Sequence, residues 1–211
     1  PKQSGGYNAI GLARKLPLVG SKAYLVGTPF FRHRLFFTGT VAQTHESAEF
    51  LNPHYVGVFY IQSASPHGTS GGAWVNGNGQ VIGLQSAMLF VNNAPHGIAF
   101  VAPLSAIRNL LNAPQTIAVA SAGFAVEELW EQPPNYLQQV TDGTTGLVIK
   151  VIVPGSPLEK AQVPIGAILT SVDGKPVQTR DSFINAIRAH KPGEEVTLTI
   201  RAPDNETAQE L

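Results

Sequence analysis

The sequence predicts a mainly β chain built from two units, of which the first is all β and the second α+β. Two observations support this reading. Short strand-forming runs alternate with turn residues up to Pro114, whereas helical and strand periodicities follow it. The charge balance changes at the same point, because seven Lys/Arg and two acids lie before Pro114, and seven Lys/Arg and twelve acids follow it. Such a shift is typical of two domains, and we predict them at residues 1–114 and 115–211.

The first unit contains six apolar runs separated by Gly, Pro, Asn and His. These runs predict strands at Ala23–Gly27, Leu35–Ala42, Val56–Ile61, Ala73–Val75, Val81–Leu84 and Ile98–Val101. Strands at this spacing favour an antiparallel barrel or sandwich. Residues 103–111 predict a short amphipathic helix, since Pro103 suits a first helical turn. Residues 112–121 are predicted to be a linker.

The second unit combines strand and helix signals. Ser156 and Glu159 form a capping box around Pro157, which predicts the start of a short helix. The other predicted elements are strands at Gly146–Val153, Ile165–Val172 and Glu195–Ile200, a tight turn at Asp173–Gly174 and a helix at Asp181–His190. The polar tail from Pro203 is expected to be frayed.

The composition limits the classes of function. No apolar run approaches the roughly 18 residues that would span a bilayer, so we expect a soluble chain. The absence of Cys excludes a disulfide framework and a thiolate metal site. The basic first half lacks Lys/Arg clusters interleaved with aromatic residues, which argues against nucleic-acid binding. With no ligand-spaced His and carboxylate sets and no nucleotide loop, we predict neither a metal nor a cofactor.

Residues 66–84 read PHGTSGGAWVNGNGQVIGL and place a serine between glycines. A hydrolytic serine needs an exposed hydroxyl on a tight turn and backbone N–H groups directed at the developing oxyanion. Glycines allow both, because they adopt positive φ and let the backbone approach a substrate. Ser70 is therefore a candidate nucleophile, with an oxyanion hole formed by Gly68, Thr69 and Ser70. On the pentapeptide Gly68–Gly72 alone, an ordinary hairpin turn remains an alternative.

The order of segments around this motif resembles the HtrA/Deg family of trypsin-like serine proteases. The segments of the first half are LARKLPLVGSKAYLVGTP, FTGTV, YIQS, the Ser70 loop, VIGL and GIAFVAP, and those of the second half are GFAV, VPGSPL, IGAIL, VDGKPV and KPG. The resemblance implies the second half of a trypsin-like double β-barrel followed by an α+β PDZ domain. It also implies that the N-terminal barrel, which holds the catalytic His and Asp in this family, is missing. Because the chain starts at Pro1 and has Met88 as its one Met, we expect part of a longer or processed protein.

The resemblance also assigns roles to individual residues. Ser70 matches the nucleophile and Gly68 an oxyanion donor. The edge strand that pairs with substrate is matched by Leu84, Gln85 and Ser86, and the strand that walls the primary specificity pocket is matched by Ile98 and Phe100. In the second half, the carboxylate-binding loop is matched by Gly123, Phe124, Ala125 and Val126, and Ile187 would line the peptide groove. Departures from the family pattern are Thr69 for Asn, Ala73 for Pro and Ala167 for Asp.

A trypsin-like serine needs a histidine base oriented by an aspartate, and the sequence offers neither in the expected context. No Asp precedes Asp142, and the histidines at 33, 45, 54 and 67 lack the family's surroundings. The adjacent His45 and Glu46 form the one local pair. We therefore expect the parent protein to be a serine endopeptidase and this chain alone to be inactive.

Two functions remain under this reading. The first is an HtrA-like endopeptidase of protein quality control. Its implied partners are unfolded or extended polypeptides, peptide C-termini at the PDZ domain and further copies in a trimer-based homo-oligomer. Its implied compartment is the bacterial periplasm or cell envelope, with an organelle or another compartment left open. The second is a non-catalytic peptide-binding or assembly module that works through its PDZ domain. A third alternative, an unrelated β protein, would make Gly68–Gly72 a plain turn.

Overall fold

The computed structural model describes residues 9–51, 53–113, 119–205 and 207–211, and these divide into two compact units. The first unit holds residues 9–47 and 57–113, and the second holds Ala48–Val56 together with the described residues from 119 onward. The predicted boundary between residues 114 and 115, and Pro114 of the predicted linker, lie outside the described residues. The sequence contained no sign that Ala48–Val56 would join the second unit.

The first unit is an antiparallel barrel. The elements up to residue 113 are β1 (Lys22–Gly27), β2 (Leu35–Val41), β3 (Ser47–Leu51), β4 (His54–Gln62), β5 (Ala73–Val75), β6 (Val81–Val91), β7 (Ala94–Pro103) and α1 (Leu104–Asn112), with a 3-10 turn at Pro29–Phe31. All of β3 except Ser47, and the first three residues of β4, belong to the second unit. The strands follow the order β2-β1-β5-β6-β7-β4, with β3 beside β4. The sheet closes because β4 also pairs with β2, where Ile61 lies opposite Val41. Six strands and the helix were predicted, whereas β3 was not.

The barrel is filled by the side chains that alternate inward along its strands. The largest of them are Trp74, Phe59, Leu25, Ile61 and Ile82, and each is fully buried. Burial of an aliphatic or aromatic side chain of this size contributes about 1.5–3 kcal/mol relative to exposure. The strand period of two therefore explains which face of each segment forms this core.

The second unit is an antiparallel sheet with helices. Its elements are β8 (Phe124–Glu128), α2 (Pro134–Leu137), β9 (Leu147–Ile152), α3 (Pro157–Lys160), β10 (Ile168–Val172), β11 (Lys175–Pro176), α4 (Arg180–Arg188), β12 (Leu198–Arg201) and β13 (Ala208–Glu210), with a 3-10 turn at Leu129–Glu131. The order is β13-β12-β10-β9-β8, so β8 lies at one end of the sheet as far as the described residues show. The prediction of a frayed tail is wrong, because β13 pairs with β12 and Leu198 and Leu211 exchange two backbone hydrogen bonds of 3.0 Å.

Local signals account for the helix starts and the tight turn of this unit. The Ser156 hydroxyl accepts from the Glu159 N–H at 3.4 Å, and the Glu159 carboxylate accepts from the Gly155 N–H at 2.6 Å, which confirms the predicted cap of α3. Asp173 and Gly174 both have positive φ, 50° and 71°, as the predicted two-residue hairpin requires. Among the described residues, every helix is too short or too polar to cross a lipid bilayer.

Candidate functional site

Ser70 lies on the turn between β4 and β5 with its side chain exposed. Its hydroxyl donates a hydrogen bond of 3.1 Å to the main-chain carbonyl of Ser86 on β6. The turn is tied to the same strand by two backbone bonds, since the Gly71 N–H donates to Gln85 at 2.7 Å and the Gln85 N–H donates to Gly72 at 2.8 Å. β6 therefore fixes the position of the candidate nucleophile.

The turn that carries Ser70 requires glycine at position 68. Gly68 has a φ of 93°, and a Cβ there would lie 2.9 Å from Cα of Pro29. Both the conformation and the close approach to a neighbouring backbone exclude a side chain. The Thr69 hydroxyl, which is 3% exposed, donates to the Pro66 carbonyl at 2.7 Å and closes the turn from inside.

Backbone donors are available beside Ser70. Within the described residues, backbone carbonyls accept from the N–H groups of Thr69, Gly71 and Gly72, but not from those of Gly68 and Ser70. These last two are the donors that an oxyanion hole at this turn would use. Their role, like that of Thr69 between them, stays a prediction.

Two histidines of the first unit, His45 and His67, contact residues other than Ser70. No hydrogen bond joins Ser70 to a histidine in the part of the chain that the structure describes. The exposed ring of His67 stacks on Phe90 with centroids 5.3 Å apart. His45 and Glu46 do not form a pair with each other, because the His45 ring contacts Gln43 Nε2 at 2.7 Å and the Glu46 carboxylate accepts from the Ser105 hydroxyl.

A shallow recess of about 230 Å³ opens beside Ser70. Its lining is formed by Val26, Gly27, Thr28, Arg34, Gly68, Thr69, Ser70 and Gly72. The sequence motif did not point to Arg34 or to the end of β1, because they come near Ser70 only when β1 pairs with β5. Neither Ile98 nor Phe100, the two predicted wall residues, lines this recess. Phe100 is 7% exposed and packs against the Tyr60 ring, 5.6 Å away between centroids.

Of the three residues predicted to form a free edge for pairing with substrate, Leu84 and Gln85 do not lie at an edge of the sheet. Leu84 lies opposite Ala73 on β5 and Ala102 on β7, so it has strand neighbours on both sides. Gln85 is likewise held between β7 and the Ser70 turn, and its side chain is buried. An edge in the described residues therefore starts no earlier than Ser86, where a bulge interrupts the β6–β7 register.

The second predicted site lies on β8 and α4 of the second unit. Gly123 has a φ of 74°, and a Cβ there would meet that of Ser156 at 2.9 Å. Phe124, Ala125 and Val126 follow on β8, each with at most 6% of its surface exposed. Ile187 on α4 is 6% exposed and belongs to the hydrophobic core of this unit.

The space between β8 and α4 contains Tyr55. Its hydroxyl accepts from the Val126 N–H at 2.8 Å and donates to the Val126 carbonyl at 3.2 Å. Burial raises the pKa of the Tyr55 hydroxyl, and the hydrogen bond with Val126 opposes this effect. The sequence did not indicate Tyr55, because no local pattern connects it with a strand 71 residues away.

Comparison with known proteins gives three results. A PDZ domain model matches residues 134–209. In sequence, the chain is 28% identical over 197 residues to the serine protease PepD of Mycobacterium tuberculosis, covering 88% of this chain and 40% of that protein. It is 30% identical over 182 residues to the periplasmic pH-dependent serine endoprotease DegQ of Escherichia coli, covering 85% and 40% respectively. The chain thus spans about two fifths of the length of these relatives.

In structure, the chain resembles the HtrA-type protease AlgW solved with a decapeptide. The TM-score is 0.58 at 19% sequence identity, and the match covers 96% of this chain and 62% of that one. At this identity the likeness concerns the fold. It confirms the predicted fold class, which is a mainly β chain with half of a trypsin-like double barrel followed by an α+β PDZ domain.

Proposed function

Because the chain is a relative of the HtrA/Deg serine proteases and carries a PDZ domain, we propose that it supplies the nucleophile and the peptide-binding domain of a serine endopeptidase of protein quality control. Ser70 Oγ attacks the carbonyl carbon of a peptide bond and passes its proton to a histidine oriented by an acid. The histidine then protonates the leaving amine, and water hydrolyses the acyl-enzyme. Within the described residues, neither a histidine nor an acidic residue forms a hydrogen bond with Ser70.

The observation that supports this proposal best is the geometry of the Ser70 turn. The hydroxyl is exposed, and the N–H groups of Gly68 and Ser70 have no backbone acceptor among the described residues. A negatively charged oxygen formed by attack of Ser70 would need such donors.

Covalent labelling tests the catalytic proposal. The chain is incubated with a fluorophosphonate probe, and the modified peptide is identified by mass spectrometry, with Ser70→Ala as the matched control. Modification of Ser70 that is lost in Ser70→Ala supports an activated nucleophile. A sample shown to be folded by circular dichroism that takes up no probe contradicts catalysis by this chain alone.

The partners and compartment are part of the same proposal. The PDZ domain binds peptide C-termini through Gly123–Val126, unfolded polypeptides are the substrates, and copies of the chain assemble as trimer-based homo-oligomers in the bacterial periplasm or cell envelope. The printed name of the relative DegQ, a periplasmic endoprotease, supports the compartment. Light scattering coupled to gel filtration checks the assembly, and a monomeric mass at micromolar concentration would contradict it.

A second candidate function is a peptide-binding module without catalysis. It is favoured by the bond from Ser70 Oγ to the Ser86 carbonyl, which engages the hydroxyl with an acceptor that cannot act as a base. In this case Ser70→Ala should leave binding of C-terminal peptides unchanged, and calorimetry on both forms provides the measurement.

A further inference from the structure

The open side of β8 is where a peptide would add as another strand. Strand addition uses the N–H and carbonyl groups that an edge strand directs away from its sheet. Among the described residues, β8 pairs with β9 on one side and has no strand neighbour on the other. The N–H and carbonyl of Val126 face this open side, because both bond the Tyr55 hydroxyl there.

Tyr55 thus takes up the donor and the acceptor that an incoming peptide needs. One hydroxyl accepts from the Val126 N–H and donates to the Val126 carbonyl, as the main chain of a paired strand would do with its own N–H and carbonyl. A peptide cannot form its bonds to Val126 while the hydroxyl holds both groups.

The aromatic ring of Tyr55 fills the apolar part of the same space. It packs edge-on against Phe183 of α4 with centroids 6.2 Å apart, and against Phe50 at 5.2 Å. Tyr55 and Ala48 both pack on the hydrophobic core of the second unit. Peptide side chains that enter between β8 and α4 would have to contact this core, and the ring excludes them.

Further bonds hold the segment at both of its flanks. The Arg188 guanidinium, in the last turn of α4, donates to the Tyr55 carbonyl at 3.1 Å. The Ser121 hydroxyl, ahead of β8, donates to the Pro53 carbonyl at 3.5 Å. Contacts to β8, to α4 and to the residues before β8 explain why Ala48–Val56 belongs to the second compact unit, although the residues that flank it in sequence belong to the first.

We propose that the described residues of Ala48–Val56, which are 48–51 and 53–56, form an intramolecular ligand of the groove between β8 and α4, and that a peptide binds there by displacing Tyr55. The inference rests on the proposed function, in which this groove takes peptide C-termini. The hydroxyl contributes only two hydrogen bonds, whereas a bound strand forms several, so the segment lowers the affinity for peptides without abolishing binding. Peptide affinity is then set by competition between the peptide and the chain's own segment.

The test compares peptide binding by the unaltered chain, Tyr55→Phe, Tyr55→Ala and Tyr136→Phe. Tyr55→Phe keeps the ring and removes only the hydroxyl. Tyr136→Phe is the matched control, because this hydroxyl also bonds a backbone carbonyl of the second unit, that of Gly166 at 2.6 Å, which lies on neither β8 nor α4. The probes are fluorescein-labelled decapeptides with free carboxylates whose last three positions vary among Val, Leu, Ile, Phe, Tyr and Ala. Fluorescence anisotropy gives the affinities.

Tyr55→Phe is expected to bind the best peptide about 5- to 30-fold more tightly than the unaltered chain, since each lost competing hydrogen bond is worth a few-fold in the equilibrium. Tyr136→Phe should match the unaltered chain. Equal affinities for Tyr55→Phe and the unaltered chain would overturn the inference, as would a gain of the same size in Tyr136→Phe.

Hydrogen exchange separates this inference from the proposed function. The Val126 amide, followed by NMR, should exchange more slowly in the unaltered chain than in Tyr55→Phe. If no variant binds any peptide, peptide binding by this domain fails as a function, while slow exchange that depends on Tyr55 still supports occupation of the groove. Val126 exchange that is the same in both forms would refute occupation whatever the binding result.

Discussion

Gln85 holds the strand that positions Ser70. Its side-chain oxygen accepts from Trp74 Nε1 at 2.8 Å, and its side-chain nitrogen donates to the Ala87 carbonyl at 2.7 Å, across the bulge in β6. Gln85 is 4% exposed and Trp74 is fully buried. Because the Ser86 carbonyl that accepts from Ser70 lies between these two anchored residues, the conformation of the bulge depends on Gln85.

Gln85→Met is the perturbation of choice, since it keeps the length and shape of the side chain and removes both hydrogen bonds. In this variant the buried Trp74 N–H has no acceptor, which should lower the free energy of unfolding by about 1–3 kcal/mol. The Ala87 carbonyl is only half-buried, so its loss should cost about 0.5–1.5 kcal/mol. We expect a total destabilisation of about 2–4 kcal/mol, a large part of the 5–15 kcal/mol that is usual for a folded domain.

Urea unfolding followed by tryptophan fluorescence measures this change. The chain has two tryptophans, and Trp130 of the second unit is 76% exposed, so a Trp130→Phe background makes the signal report on the first unit. Gln80→Met is the matched control, because Gln80 bonds Asn76 at 3.2 Å in a half-exposed turn and should cost below about 0.5 kcal/mol. A Gln85→Met effect no larger than that of Gln80→Met would refute the role assigned to Gln85.

Two further predictions concern the Ser70 turn and the second unit. Gly68→Ala should destabilise the first unit by about 1–3 kcal/mol, because an L residue is strained at this φ. Gly77→Ala, with no atom within 4 Å of the new Cβ, is its control, and equal unfolding midpoints in urea would contradict the argument. Burial raises the pKa of Tyr136 to about 12 from its ordinary value of 10, so the stability due to its protonated form is complete below pH 10 and is lost as the pH rises towards 12. Urea midpoints between pH 9 and 12 should therefore fall more for the unaltered chain than for Tyr136→Phe, and parallel curves would disprove this assignment.

Local sequence signals predicted much of the fold. Turn residues and strand periodicity located six strands of the barrel, and Ser156 with Glu159 located the start of α3. The length of β6 and β7 was underestimated, because the tip of their hairpin is formed by Asn92 and Asn93 at positive φ of 49° and 62°. Two adjacent Asn between apolar runs are typical of a two-residue hairpin turn, because Asn tolerates positive φ.

Other elements depended on distant partners. β3 contains Glu49 and has no clear alternation, and it forms because β4 offers its edge. The last residues of the chain are polar, yet they pair with β12 as β13. β-propensity reflects the strand neighbours and the burial that a segment finds, which its own residues do not contain.

The amino-acid sequence was enough to predict the residue types at the site, namely a serine among glycines on a turn and an apolar strand next to a helix. The three-dimensional fold was needed to show that Leu84 has strand neighbours on both sides, that Arg34 lines the recess beside Ser70, and that Tyr55 bonds Val126. The difference lies in the sequence separation of the interacting residues. Turn conformation and periodicity are encoded within a few residues, whereas these contacts arise from strand order and from segments that meet across up to 71 positions of chain.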